Sequence, residues 1–126
     1  MEEALYSHLG FFNTDQVRSD KEGDFLTSPE VSKYIGKIIR NWINSESNLK
    51  NIIEIGSGTG SLIEQIGIKE ITAVELSSTA REELIKKGID THTTIDELTT
   101  KTSDLIFGNE ILDNIPCSIG SVSYTH

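Results

Sequence analysis

Three glycines alternate with small polar residues in the segment Glu54-Ile55-Gly56-Ser57-Gly58-Thr59-Gly60. Because the glycines carry no Cβ atom, the backbone of such a bend can adopt positive φ angles and approach a ligand closely. The residues before the glycines, Asn51–Ile55, predict a short buried strand, and Ser61–Ile66 after them predict a helix. A bend between a strand and a helix lies at the crevice where open α/β sheets bind ligands. A tight turn that binds nothing is the alternative interpretation.

The rest of the chain repeats this alternation of strand and helix. The predicted strands are Glu70–Leu76, a weak one near Ile89–Thr93, and Ser103–Gly108, and the predicted helical segments are Thr79–Lys87, Ile95–Leu98 and Glu110–Asn114. Thr79 is the predicted cap of its helix, which Gly88 ends. Alternation of this kind forms βαβ units with right-handed crossovers. The predicted fold class is therefore α/β, a Rossmann-like sheet of about four parallel strands with flanking helices.

An amphipathic helix is predicted before the first strand. Seven apolar residues follow helical spacing, namely Val31, Tyr34, Ile35, Ile38, Ile39, Trp42 and Ile43. The segment Thr27-Ser28-Pro29-Glu30 has the hydroxyl, proline and carboxylate typical of a helix start. We expect the whole stripe, Trp42 included, to pack in the core. We divide the single structural unit into an N-terminal helical or lid segment, residues 1–48, and a partial Rossmann-like domain, residues 49–126.

Composition narrows the choice of partners. The 126 residues carry a net charge of −9, whereas a nucleic-acid interface needs clustered Lys and Arg. The three histidines are scattered, which argues against a metal site. Cys117 is the only cysteine, no apolar run approaches the ~20 residues of a membrane span, and the first residues lack the positive charge of a targeting peptide. We expect a cytoplasmic protein that binds no nucleic acid, membrane or metal.

Two carboxylates near the bend favour one cofactor over another. A dinucleotide site has the pattern G-x-G-x-x-G, whereas here Ser61 takes the last position and Gly60 comes one residue early. Glu54 would repel a pyrophosphate but suits the ammonium and sulfonium of S-adenosylmethionine. Glu75 lies 19 residues after Gly56, near the ~20-residue offset at which an acid meets a ribose. The predicted cofactor contacts are Glu54, Gly56, Ser57, Gly58, Gly60, Glu75, Leu76 and Asn109.

Two further segments carry a family resemblance. They are Gly23-Asp24-Phe25-Leu26-Thr27-Ser28-Pro29-Glu30-Val31-Ser32 before the bend and Gly108-Asn109-Glu110-Ile111-Leu112-Asp113-Asn114-Ile115-Pro116 after it. With the glycine bend between them, they resemble the MidA-like family of class I methyltransferases. The resemblance implies a seven-stranded methyltransferase fold, S-adenosylmethionine as the methyl donor and, in a mitochondrial member, a protein arginine as acceptor.

The chain departs from the family pattern in two places. Family members continue well beyond the second segment, whereas this chain ends ten residues after Pro116, so we expect an incomplete copy. Many class I enzymes place an acid after the third strand, near the adenine. Here the corresponding positions are Thr93 and Thr94, and Asp96 follows two residues later.

Carboxylates are also the candidate catalytic groups. A guanidinium acceptor needs carboxylates to orient it, because its pKa is above ~12. Glu110 and Asp113 lie three residues apart on one predicted helical face, and Asp24 and Glu30 lie in the possible lid. The alternative role of Glu110 is that of a first-turn acid at a helix N-terminus, and that of Asp24 and Glu30 is loop and cap chemistry.

Three functions stay open at this point. The first is an S-adenosylmethionine-dependent methyltransferase that acts on protein. The second is a cofactor-binding or assembly module without turnover. The third is an NAD-dependent oxidoreductase, against which Ser61 and the early Gly60 argue.

Overall fold

The computed structural model describes Ser7, residues 33–98, residues 102–112 and Asn114. Its elements are helix α1 (Tyr34–Ser45), strand β1 (Ile52–Ile55), helix α2 (Ser61–Ile66), strand β2 (Ile71–Val74), helix α3 (Ser78–Lys86), strand β3 (Thr91–His92), a 3₁₀ turn (Ile95–Glu97) and strand β4 (Leu105–Phe107). The bounds of α2 are those predicted, and the strands are shorter than predicted.

The four strands form one parallel sheet in the order β3-β2-β1-β4. The chain runs outward from β1 through β2 to β3 and then returns to place β4 on the other side of β1. The direction of winding therefore reverses between β1 and β4. The carboxyl ends of strands at such a reversal form the ligand crevice of open α/β sheets. The predicted Rossmann-like α/β class is confirmed, and the glycine bend begins at this crevice.

Apolar side chains from the sheet and the helices form one core under the bend. Its buried members are Ile43, Ile52, Leu62, Ile63, Ile66, Ile71, Ala73 and Leu84. They come from α1, β1, α2, β2 and α3, so burial of this surface holds all five elements together. α1 packs directly on α2. This helix of the N-terminal segment therefore shares the core of the sheet, and the division at residue 48 stays a prediction.

The apolar stripe of α1 only partly faces the core, so the expectation for Trp42 was wrong. Ile43 is buried and Ile35 and Ile39 pack against the core, whereas Trp42 is 49% exposed. Tyr34 and Ile38, on the same row as Trp42, are exposed as well. The stripe is wider than the surface that α2 covers, so among the described residues of the stripe only the inner row is packed. The predicted helix start at Thr27–Glu30 lies outside the described residues.

The cap of α3 differs from the prediction. The hydroxyl of Ser77, not of Thr79, accepts a hydrogen bond from the N–H of Ala80 at 3.3 Å. Ser77 has the extended backbone of an N-cap residue, whereas Thr79 already lies inside the helix. Both residues carry a hydroxyl, so the local sequence did not distinguish them. The end of the helix before Gly88 is confirmed.

The helix predicted over Glu110–Asn114 is absent from the described residues of that segment. Glu110 has a φ of 55°, in the left-handed region, which interrupts a right-handed helix at its first residue. A turn follows, in which the N–H of Asn114 donates to the carbonyl of Ile111 at 3.0 Å. Asp113 lies outside the described residues. The structure therefore does not support the prediction that Glu110 and Asp113 share one face of a helix.

Candidate cofactor site

The glycine bend connects the end of β1 to the start of α2. The N–H of Gly56 donates to the carbonyl of Val74 at 2.8 Å, and the N–H of Gly60 donates to the carbonyl of Ser57 at 2.9 Å. The φ angles of Gly56, Gly58 and Gly60 are 68°, 52° and 82°. Side chains make this left-handed region costly, so the backbone path itself requires glycine.

The three glycines have different surroundings. A Cβ atom on Gly56 would collide with the side chain of Ile111. One on Gly60 would lie 2.7 Å from a methyl carbon of Leu84 in the core. Around Gly58, in contrast, there is open space within 4 Å of that position. Gly58 is therefore the point at which the bend presents bare backbone to a ligand, while the other two glycines allow close packing.

Glu75 follows β2 and ties the bend to the start of α3. One carboxylate oxygen accepts from the N–H of Gly58 and the other from the N–H of Ser77, both at 2.8 Å. The side chain is only 8% exposed. A carboxylate offers about four acceptor positions, so capacity for further donors remains after these two bonds. Glu75 thus fixes the shape of the bend and is still able to accept hydrogen bonds from a ligand.

Glu54 on β1 is the most buried carboxyl of the site. It is 2% exposed, and among the described residues its Oε2 atom has no hydrogen-bond partner. Burial is the main cause that raises the pKa of Glu54 to about 8, with the negative charge of Glu75 adding to the rise and Ser57 opposing it. The Ser57 hydroxyl itself donates to the backbone carbonyl of Glu54 at 3.0 Å. A buried carboxyl oxygen without a partner is a costly feature that a cationic ligand would relieve.

Two cations that the sequence analysis missed donate hydrogen bonds to backbone carbonyls of the site. Arg81 on α3 donates to the carbonyls of Glu75 and Leu76, at 2.9 and 2.6 Å. Lys87 donates to the carbonyl of Thr59 in the bend and also bonds to Glu64 on α2, both at 2.8 Å. The Lys87 contact joins residues 28 positions apart, which no local pattern signals. Both cations fix the backbone around the bend.

The other predicted site residues lie at the same edge of the sheet or outside the described residues. Leu76 follows Glu75 and is partly exposed, and Asn109 and Glu110 follow β4, which pairs with β1. After β3, the N–H of Thr93 donates to the carboxylate of Glu97 at 2.7 Å. The acid bonded at the position where many class I enzymes place an acid is therefore Glu97 and not Asp96. Asp24, Glu30 and Asp113 lie outside the described residues.

The described part of the chain gives no sign of a metal or a membrane span. Within it, no group of three or more His, Cys, Asp or Glu side chains is placed to hold a metal ion. The helices found in that part are all too short and too polar to cross a bilayer.

Comparison with known proteins gives partial matches to one kind of enzyme. The mitochondrial protein arginine methyltransferase NDUFAF7 of Danio rerio is 40% identical over 76 residues, which cover 52% of this chain and 17% of the relative. The Mus musculus protein of that name is 32% identical over 72 residues, covering 52% and 16%. The Drosophila melanogaster homolog is 35% identical over 52 residues, covering 36% and 12%. No family model matches the sequence.

The chain thus spans between 12% and 17% of the length of these curated relatives. Over the aligned part, the similarity confirms the resemblance to MidA-like methyltransferases that the sequence motifs indicated.

Proposed function

We propose that this chain binds S-adenosylmethionine at the glycine bend and functions as a methyltransferase that acts on protein. The observation that carries the proposal is the pair of buried carboxyls at the bend, Glu54 on the strand that leads into it and Glu75 bonded to the open backbone at Gly58. The names of the relatives, protein arginine methyltransferases, support a protein acceptor and favour arginine. S-adenosylmethionine supplies an electrophilic methyl group on a sulfonium.

The charge of the site favours this cofactor over NAD. Glu54 is buried with an unpartnered oxygen, and Glu75 adds a second carboxylate beside the same bend. An ammonium or a sulfonium would stabilise the ionised form of Glu54 and is attracted by a carboxylate, whereas an anionic pyrophosphate would be repelled by a carboxylate and would leave Glu54 without a counter-charge. The early Gly60 also breaks the spacing of a dinucleotide bend. We therefore assign Glu54 to the cationic end of the cofactor.

Glu75 is assigned to the ribose. Its two oxygens already accept the N–H groups of Gly58 and Ser77, which holds the carboxylate in a fixed orientation. The lone pairs that remain match the two hydroxyl donors of an adenosine ribose. Because the acceptor is oriented before the ligand arrives, little conformational entropy is lost on binding. Leu76, partly exposed next to Glu75, offers an apolar contact for the adenosine.

Methyl transfer itself requires positioning more than acid–base chemistry. An in-line displacement is accelerated mainly by holding acceptor and methyl group in line. Glu110 follows β4 at the same edge of the sheet and is exposed, so it is the described carboxylate assigned to orient an acceptor. Asp113 and Asp24 remain sequence-based candidates for the same role. The cytoplasmic location also stays a prediction, and the relatives are named as mitochondrial.

Calorimetry with S-adenosylmethionine, S-adenosylhomocysteine and NAD tests the proposal. We expect the two adenosyl compounds to bind and NAD not to bind. Preferential binding of NAD, or no binding of either adenosyl compound, would overturn it. Transfer of a labelled methyl group to protein in a cell lysate then separates an enzyme from a binding module, for which cofactor binding would occur without transfer.

A further inference from the structure

We infer that the site exchanges a proton on Glu54 for the cation of its ligand, so that cofactor binding releases a proton to solvent. The inference rests on the proposed function, because the ligand is taken to be S-adenosylmethionine. It goes further in assigning a protonation state to each form of the site: Glu54 carries its proton in the empty site and loses it in the occupied one.

The carboxyl of Glu54 is almost entirely buried in the empty site. Its backbone lies in the middle of the sheet, paired with Ala73 of β2 on one side and Phe107 of β4 on the other. Its residue exposure is 2%, and Oε2 lacks a partner among the described residues. An ionised carboxylate in such a place would have few of the hydrogen bonds that normally stabilise its charge.

In the part of the chain that the structure describes, the cations of α3 are bonded to groups other than Glu54. Glu75, directly after β2, repels a second negative charge and raises the pKa of Glu54. On α3, Arg81 is bonded to the carbonyls of Glu75 and Leu76. At the end of α3, Lys87 is bonded to the Thr59 carbonyl and to Glu64, the acid of α2.

Neither β4 nor the bend contributes a cation. The residues of β4, Leu105–Phe107, are apolar, and the bend contains only glycines and the hydroxyl residues Ser57 and Thr59, of which Ser57 lowers the pKa of Glu54 without cancelling the effect of burial. Asp104 lies before β4 and bonds to the N–H groups of Lys50 and Asn51, at the opposite end of β1. Because no cation among the described residues is bonded to Glu54, we assign its neutralisation in the empty site to a proton.

A ligand cation changes this balance. When an ammonium or sulfonium approaches, it favours the ionised carboxylate, so the O–H bond of Glu54 breaks and the proton passes to the buffer. No oxidant or other reactant is involved. By linkage, the affinity for the cation must rise as the pH rises toward the pKa of the empty site, by up to about tenfold per pH unit, and level off above it.

Calorimetry in two buffers of different ionisation enthalpy measures the proton directly. We expect S-adenosylmethionine binding near neutral pH to release close to one proton per site, and the dissociation constant to fall about tenfold per unit as the pH rises toward 8. The amino group of the ligand titrates at about 7.7–8.0. Because this group can also exchange a proton, the quantity compared is the number of protons released on binding by the wild type and by Glu54→Gln, in which residue 54 has no proton to release.

A matched control is Glu70→Gln, an exposed carboxylate before β2 that should release the same number of protons as the wild type. Equal proton release by the wild type and Glu54→Gln, with binding intact, would overturn the inference and leave the proposed function standing. Absence of binding at every pH would overturn both. Carboxyl carbon NMR of the unliganded wild type needs no variant: titration of Glu54 near 8 supports the inference, and titration near 4.5 contradicts it.

Discussion

One carboxylate oxygen of Glu75 lies 2.8 Å from the backbone nitrogen of Gly58, the open glycine of the bend, 17 residues earlier in the chain. The second oxygen accepts from the N–H of Ser77 at the same distance. The group assigned to a ribose therefore also shapes the backbone over which the ligand would lie. A change at Glu75 should alter both stability and binding, and this joint effect distinguishes it from an exposed acid.

Replacing Glu75 with alanine should weaken the fold and the site together. Two backbone N–H groups lose a charged acceptor, and such bonds contribute about 1.5–3 kcal/mol each, so the free energy of unfolding should fall by about 3 kcal/mol or more. Affinity for S-adenosylmethionine should fall at least ~100-fold. Urea denaturation and calorimetry measure the two effects, with Glu82→Ala, an exposed acid of α3, as control. A loss of affinity below about threefold would remove Glu75 from the ribose site.

Gly58→Ala should weaken cofactor binding with only a modest effect on stability. Its φ of 52° makes alanine cost about 1–2 kcal/mol. The new methyl group would occupy the open space assigned to the ligand. Gly67→Ala is the matched control, because Gly67 has a φ of 64°, lies at the opposite end of α2 from the bend and has room for a Cβ atom, the nearest atom being the end of the Arg40 side chain at 3.4 Å. The account requires similar stability losses in the two variants and weaker binding in Gly58→Ala alone; equal affinities would contradict it.

Gly60→Ala should be the more destructive change for the fold. The added Cβ atom would lie 2.7 Å from a methyl carbon of Leu84, which is fully buried, and 3.0 Å from one of Ile89. Overpacking of this kind costs about 1–3 kcal/mol in addition to the backbone strain that Gly58→Ala also carries. Denaturant midpoints of the two variants provide the comparison. If Gly60→Ala proved as stable as Gly58→Ala, the packing assigned to Gly60 would be wrong.

The pKa of Glu54 predicts how stability changes with pH. The pKa is about 8 in the folded chain and 4.5 for an ordinary glutamate, so the folded state binds the proton more tightly. The resulting stability is fully present below about pH 4.5 and is lost progressively as the pH rises to about 8, with a total on the order of 5 kcal/mol.

Glu54→Gln isolates that contribution because glutamine has no proton to lose. Urea denaturation at a series of pH values should show the variant gaining stability relative to the wild type between about pH 5 and pH 8. A constant difference between the two proteins across this range would mean that Glu54 ionises normally.

The sequence predicted those features of the site that depend on neighbouring residues, and it missed those that depend on long-range contacts. The strand before the bend, the bend itself and helix Ser61–Ile66 follow from short-range patterns, and the parallel order follows from their alternation. The anchoring of the bend by Lys87 did not follow, because it depends on how α3 packs beside α2. The exposure of Trp42 was missed for a similar reason: the periodicity marks apolar positions but not the width of the surface that covers them.

The conformation of Glu110 was also beyond the sequence pattern. Acidic and apolar residues after β4 resemble the first turn of a helix, yet Glu110 adopts a left-handed conformation that only the surrounding contacts select. Ile111, the next residue, packs its side chain against Gly56 and Gly108. This tertiary contact takes precedence over the local helical preference.

Glu110→Gln should separate acceptor chemistry from cofactor binding. The residue is exposed and is assigned to the acceptor rather than to the cofactor, so affinity for S-adenosylmethionine should stay within about twofold. Methyl transfer should fall by about 10²-fold or more if the carboxylate helps to orient and deprotonate the acceptor. Weaker cofactor binding with unchanged transfer per bound cofactor would contradict this role.

A crystal structure of the chain with S-adenosylhomocysteine tests the assignment of the bend most directly. The account predicts that the ligand lies against the backbone of Gly58. Its ribose hydroxyls should be about 2.5–3.0 Å from the carboxylate of Glu75, and its ammonium should lie beside Glu54. A ligand bound elsewhere, with Ile111 still covering Gly56 and Glu75 bonded only to Gly58 and Ser77, would contradict it.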